Sequence, residues 1–332
     1  GGTGATLMDS INRIKAIIES HREATKEREA TIYRQDSFSL KKGISFKLTI
    51  ETEESPTITR TLVYDKKKRL GQGAGGCVYL AKYKEQYVAV KEIYLEKNDV
   101  LYSYKKSKIQ EELTAHKKLK YPRIIKYIDS EIYDNIVVII TDYQKMGSIY
   151  NLIKKHGRMD EEEIKTVTIQ LLEGLSYMHS QGVIHRDIKS SNLLIKNQNE
   201  IIITDFGVSV NNPTCSSISN SKRLNGTLDW MAPELLLGEK YDCRVDTWSV
   251  GCTILEMLTG MVPFPDLYYL DVKSDLELVF YIDRVQKISS TKSITISDAL
   301  CNFLKLIMVI DWRKRPTCGE IYNNRHLYPL LS

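Results

Sequence analysis

His185-Arg186-Asp187-Ile188-Lys189-Ser190-Ser191-Asn192 stands at the start of a run that ends on Asp205-Phe206-Gly207; from Val183 the whole reads VIHRDIKSSNLLIKNQNEIIITDFG. A carboxylate, Asp187, sits on a turn, with a cation at Lys189 and an amide at Asn192 close behind it. Ile201-Ile202-Ile203 is an apolar run that reads as a buried strand, and a second carboxylate, Asp205, follows it. Two acids, one cation and one amide on adjacent loops make a site for a metal-bound polyphosphate and a hydroxyl nucleophile.

The pattern H-R-D-x-K-x-x-N followed by D-F-G resembles the catalytic and metal loops of eukaryotic protein kinases. Each motif alone is weak; together, in order and at ordinary spacing, they are highly specific. The resemblance covers about residues 65–332. It implies an α+β, bilobal protein kinase fold. A five-stranded antiparallel N-lobe with one helix would span 65–143, and a mostly helical C-lobe 144–332, with ATP in the cleft. By the same resemblance Asp187 accepts or orients the proton of the substrate hydroxyl. Lys189 balances charge on the γ-phosphate, and Asn192 and Asp205 hold Mg2+ through oxygen ligands. Ser190-Ser191 after Lys189 is similar to the serine/threonine class, since tyrosine kinases usually put Arg and Ala in this loop.

Upstream, Arg69-Leu70 leads into GQGAGGCV, which holds Gly71, Gly73, Gly76 and Val78. A lone G-x-G-x-x-G also fits dinucleotide sites, but those open a helix. Here the β-rich stretch Cys77 to Ala81 follows, then a second strand through Val88-Ala89-Val90, so the glycines join two strands of a hairpin. The resemblance lays that hairpin over the phosphates, with Leu70, Val78 and Ala89 bordering the nucleotide. Lys91 closes the apolar strand and would hold the α- and β-phosphates while pairing with a helix glutamate. Residues 97–108 read as a polar loop, followed by a helix from Lys108 to Leu119. Counting back from Pro122 by the usual spacing of the family the chain resembles gives Glu112 as the partner of Lys91, with Glu111 the alternative. His116 falls one turn later, where the family has an apolar residue. It reads as a packed histidine, or as the mark of a helix whose resting position is not the active one. By the same resemblance Thr141 would lie at the back of the adenine pocket, and Asp142, Tyr143 and Gln144 would form the hinge.

Downstream, Asn211 to Ser221 is polar with no apolar period and reads as a mobile activation segment. Thr214, Ser216, Ser217, Ser219 and Ser221 are the phospho-acceptor candidates there, because Arg186 marks the kinases whose loop phosphate pairs with that arginine. Gly226-Thr227 precedes Trp230-Met231-Ala232-Pro233-Glu234, similar to the sterile-kinase group, and Thr227 would contact Asp187 and Lys189. Glu234 is expected to pair with Arg315, and Asp246 to cap the backbone of the catalytic loop. Gly251 to Thr259 looks most like the mitogen-activated protein kinase kinase kinase branch. Asp298 to Ile310 and Cys318 to Leu327 read as terminal helices, and the domain is expected to close by Ser332.

Residues 1–64 read as an N-terminal extension, an amphipathic helix plus a β-hairpin, and residues 1–63 are not recognised as any module. Residues 1–5 are a cloning remnant or a flexible start. Leu7, Ile11, Ile14 and Ile18 recur at helical spacing, which fits docking on a neighbouring domain or self-association. Ile44, Phe46, Leu48 and Ile50 alternate with polar residues, and with Ile58 to Val63 they make a hairpin.

The whole chain has 332 residues and a net charge of +5 with 42 acids, which does not indicate a nucleic-acid footprint. Six scattered cysteines without C-x-x-C argue for a reducing compartment, and no apolar run approaches a bilayer span. The expectation is a cytoplasmic, ATP- and Mg2+-dependent serine/threonine kinase acting on proteins, with an upstream activating kinase and a downstream kinase among its partners. The alternatives are a scaffold without catalysis, which the presence of Lys91, Asp187 and Asp205 disfavours, and a dual-specificity enzyme.

Overall fold

The structure is a computed structural model that describes residues 45–50, 58–73, 76–83, 85–205, 230–236, 238–263 and 296–332. The stretch expected to form an N-terminal helix, Phe206, the hydroxyls from Thr214 to Ser221 and Thr227 lie outside the described residues, as does the region from Asp271 to Lys292. The chain divides into two units, with residues 45–120 and 125–145 in one and 121–124 and 146–332 in the other.

The first unit is built on one sheet. Its strands are β1 (Ser45–Ile50), β2 (Ile58–Gly73), β3 (Gly76–Tyr83), β4 (Gln86–Tyr94), β5 (Tyr127–Ile132) and β6 (Ile136–Asp142). They lie in the order β1-β2-β3-β4-β6-β5, every neighbour antiparallel. The expected five strands are therefore six. The alternating stretch before Ile50 pairs from Ile50↔Ile58 to Ser45↔Val63, and β2 then runs on through the basic residues to pair with β3. The expected separate hairpin and the glycine hairpin share one long strand.

Period-two alternation gives this sheet two buried faces. Cys77, Tyr79, Ala81, Val88, Val90, Val138 and Ile140 form one core. On the opposite face Val137 packs with Leu95 and with Ile109 and Leu113 of helix α1 (Tyr102–Lys118). That helix starts six residues before the expected Lys108. No side chain caps it, and the Tyr-rich stretch read as a loop is its first two turns. Tyr102 anchors the start by donating its hydroxyl to the Asp134 carbonyl at 2.6 Å. The chain turns extended at Leu119, ahead of Tyr121-Pro122.

The second unit is mainly helical. Ser148 and Asn151 form a capping box for α2 (Ile149–His156), and Asp160 and Glu163 do so for α3 (Glu161–Ser180). Ile164, Val167, Leu171, Leu172, Leu175 and Met178 of α3 are all buried, as their spacing predicts. Strands β7 (Leu193–Asn197) and β8 (Glu200–Ile203) make a hairpin against α3. A Cβ on Gly174 would stand 2.6 Å from Ile203 Cδ1, so the glycine leaves room for the Ile203 side chain against α3. Helix α4 is Pro233–Leu236 and α5 is Arg244–Thr259. Every residue of α5 from Val245 to Leu258 is buried, the mark of a central helix packed on all sides. Helix α6 (Asp298–Ile307) stops short of the expected Ile310. Helix α7 (Cys318–Asn323) gives way to a separate 3-10 turn at Arg325–Leu327.

Candidate active site

The segment between α3 and β7 carries Asp187, and its shape is dictated from below by Asp246 in the first turn of α5. Asp246 is fully buried and accepts the backbone N–H of His185 at 2.9 Å and that of Arg186 at 2.9 Å. This bears out the cap expected of it. His179, at the end of α3, places Nε2 2.7 Å from the same carboxylate. Burial works against charge on His179, but the hydrogen bond and charge of Asp246 outweigh it and lift its pKa to about 9. Burial likewise works against the Asp246 carboxylate, yet His179 and the backbone donors hold it below its ordinary value. The two shifts agree on a buried imidazolium–carboxylate pair.

His185 works as a fully buried strut. Its Nδ1 accepts the Asp187 N–H at 3.1 Å, so Nε2 carries the proton and donates to the Thr204 carbonyl at 2.8 Å. Thr204 in turn donates its N–H to the Asn192 carbonyl at 2.9 Å. Asp205 follows directly, in a left-handed conformation at φ 66°, and Arg186 takes one at φ 72°. Both are positions where a non-glycine residue costs roughly 1–3 kcal/mol and persists only when its surroundings over-determine it. The Asp246 and Thr204 hydrogen bonds supply that determination.

Asp187 is buried. Asn192 Nδ2 donates to the Asp187 carbonyl at 2.7 Å and to Oδ2 at 3.2 Å, and Lys189 Nζ lies 3.7 Å from Oδ1. Asp187, Lys189 and Asn192 thus converge as expected, with Asp205 on the neighbouring loop. With the Asn192 nitrogen turned to Asp187, its Oδ1 faces away. Together with the Asp205 carboxylate this is an all-oxygen donor set of the kind Mg2+ takes.

Two bracing residues escape a reading of the sequence. His179 is one. Glu256, deep in α5, is the other: it accepts the Ser190 N–H at 3.0 Å, the Ser190 hydroxyl, and Trp230 Nε1 at 3.2 Å. Burial pushes its carboxyl pKa up, against the pull of these donors. A lone acid inside the apolar run Gly251 to Leu258 is the signal that could have found it. The expected long-range pair is present as well. Arg315 grips Glu234 through both terminal nitrogens, at 2.7 and 3.2 Å.

In the sheet unit, Gly73 pairs with Gly76 across the β2–β3 turn, so the glycine motif does sit on a hairpin, beginning with Gly71 in β2. Leu70 is exposed, while Val78, Ala89 and Lys91 are half-buried. Lys91 lies opposite Ile139 on β6 and Ala89 opposite Thr141. Glu112 is half-buried where Glu111 is exposed. Thr141 donates its hydroxyl to the Asp142 carbonyl at 3.4 Å, and Tyr143 follows β6 half-buried. His116 is packed, its Nε2 3.3 Å from the Ile125 carbonyl and its ring edge-on to Tyr127.

The protein kinase domain family matches residues 64–327. Mitogen-activated protein kinase kinase kinase 2 of Arabidopsis thaliana is 34% identical over 76% of this chain and 39% of its own length. The serine/threonine-protein kinase BCK1/SLK1/SSP31 of Saccharomyces cerevisiae is 34% identical over 78% of this chain and 18% of its own. The serine/threonine-protein kinase dst1 of Dictyostelium discoideum is 30% identical over 80% of this chain and 34% of its own. The chain thus spans well under half the length of these relatives. Among the described residues no helix is long and apolar enough to cross a membrane.

Proposed function

The chain belongs to the protein kinase domain family, and from that premise we propose that it transfers the γ-phosphate of ATP to Ser or Thr hydroxyls of protein substrates. The observation that carries the reading is the convergence of Asn192 Nδ2 and Lys189 Nζ on the Asp187 carboxylate. An acid held in this way can accept a hydroxyl proton while a cation beside it balances the charge that builds on the phosphoryl oxygens.

In this reading the substrate hydroxyl oxygen bonds to the γ-phosphorus, the bond to the bridging oxygen breaks, and ADP leaves. The hydroxyl proton goes to Asp187. Lys189 orients the transferred group. Mg2+ would be held by Asn192 and Asp205, and when bound it supplies charge neutralisation at the phosphates. Lys91 would hold the α- and β-phosphates with Glu112 as its partner. Gly71, Gly73 and Gly76 would let the backbone approach them. Leu70, Val78, Ala89, Thr141, Asp142 and Tyr143 would seat the adenosine.

The name of the Arabidopsis thaliana relative fits a place in a mitogen-activated cascade; there the substrate would be a downstream kinase and the activator an upstream one. Phosphorylation among Thr214, Ser216, Ser217, Ser219 and Ser221 would switch the enzyme through Arg186. Its buried Nε has no hydrogen-bond partner among the described residues and would find one in a phosphate. Thr227 would shape the acceptor pocket. Free thiols, five of them among the described residues, fit a cytoplasmic setting.

The test is transfer of labelled γ-phosphate, with Mg2+, to the protein itself and to myelin basic protein, beside D187N. Signal in the wild type alone supports the reading. Silence in both, including after treatment with an upstream kinase, points to a scaffold.

A further inference from the structure

Arg186 is fixed through its backbone. Its N–H donates to Asp246 at 2.9 Å and its φ of 72° is left-handed, so the direction in which the side chain departs is set. The guanidinium lies over the ring of Tyr241, its carbon 5.9 Å from the ring centre, within the roughly 6 Å reach of a cation–π contact. That contact engages the π face and occupies none of the N–H donors. The buried Nε has no hydrogen-bond partner among the described residues. Tyr241 is itself held from the side of the central helix. It is half-buried in the link from α4 to α5. The next residue, Asp242, accepts the Arg244 N–H at 2.8 Å and Arg244 Nη1 at 2.9 Å. The Arg244 carbonyl accepts Arg315 Nη1 at 2.9 Å, from the same arginine that grips Glu234.

We propose that Tyr241 is the positioning residue of the phosphate switch at Arg186: its ring holds the guanidinium in one orientation and leaves Nε–H and an Nη–H for the oxygens of a phosphate. The inference rests on the reading above, that an activation-segment phosphate acts through Arg186. A guanidinium on a long side chain loses rotamer freedom when it closes on an anion. A ring already beneath it removes part of that loss in advance. A carboxylate in the same place would compete with the phosphate for the donors, whereas a π face does not. The buried Nε–H adds to the pull, because a buried donor without an acceptor is destabilising until an oxyanion reaches it. The ring is therefore what the position requires. Phenylalanine offers the same face, and leucine offers apolar bulk without it.

The experiment uses the whole chain, with phosphoserine installed by stop-codon suppression at Ser216, Ser217, Ser219 and Ser221 in turn. At the position that accelerates the wild type most, the ratio of phosphate-transfer rates with and without phosphoserine is measured for the wild type, Y241F, Y241L and R186Q. Y241F should keep the wild-type ratio. Y241L should lose roughly two- to thirtyfold of it, the range of a cation–π contact. Y241M replaces Y241L should the latter fail to fold. A second arm needs no kinase activity: a phosphatase should strip the phosphoserine several-fold faster from Y241L than from the wild type or Y241F. A wild-type ratio and a wild-type stripping rate in Y241L would overturn the proposal. So would a loss in Y241F equal to that in Y241L, since the ring would then not be what matters. R186Q separates this inference from the reading beneath it. If R186Q responds to phosphoserine as the wild type does, or if none of these phosphoserines accelerates the wild type, the phosphate reading falls and the role of Tyr241 with it. If R186Q loses the response while Y241L keeps it, the role of Tyr241 alone falls.

Discussion

The Asp246 carboxylate binds the His179 imidazole at 2.7 Å from beneath the catalytic loop, and its pH dependence has a definite sign. His179 is raised to about 9 in the fold from an ordinary value of 6.5. A raised group contributes its full stability below the unfolded value and loses it as pH climbs through the folded one. The pair is worth about 3 kcal/mol at neutral pH by that shift, and this is lost between about pH 6.5 and 9.5. Denaturant unfolding of the wild type should fall over that window by about 3 kcal/mol more than that of H179Q. Parallel pH curves would refute the pairing.

Asp187→Asn keeps the volume and the Asn192 contact to the backbone carbonyl but removes the base. We expect phosphate transfer to fall by roughly 10²–10⁴-fold while ATP binding and melting temperature stay near those of the wild type. Steady-state rates with an isothermal titration of ATP check it. A loss confined to KM would move the role of Asp187 from proton acceptance to substrate binding.

Glu234→Ala leaves the guanidinium of Arg315 buried without its counter-ion, although the Val309 carbonyl still accepts from its Nε and the Trp248 ring lies 5.1 Å away. Breaking one side of a buried pair costs about 3–5 kcal/mol. The double change E234M with R315M removes both charges and should recover more than half of that. Urea unfolding of the two variants measures it. A double variant less stable than E234A would mean the pair contributes net stability.

How much was legible follows from where each residue's partners lie in the chain. Asp187, Lys189 and Asn192 converge because their spacing spans one turn, so the loop itself brings them together. Asp246 and Arg315 were legible as motif residues although their partners are 61 and 81 positions away, and both contacts formed. Glu256 and His179 were not, since each lies in a helix whose apolar pattern explains it without reference to the loop. The early start of α1 was hidden because no capping residue marks it and its first turns are polar. The sixth strand was hidden for a different reason. Alternation predicts a strand but not its neighbour, and nothing local says that β2 continues through Lys66-Lys67-Lys68-Arg69.

That continuity makes the first strand part of the sheet. β1 pairs with β2 from Ser45↔Val63 to Ile50↔Ile58 and also approaches β5. Removing residues 1–56 would strip this pairing, leave the N-terminal half of β2 as an unpaired edge, and expose backbone groups that template association. A loss of even about 1 kcal/mol lowers the melting temperature of a domain this size by about 2–4 °C. We therefore expect the truncated chain to melt at least about 3 °C lower and to form larger species on size-exclusion chromatography. Scanning calorimetry and light scattering read both. An unchanged melting temperature would show that the sheet is complete from β2 onward and that β1 is only laid against it.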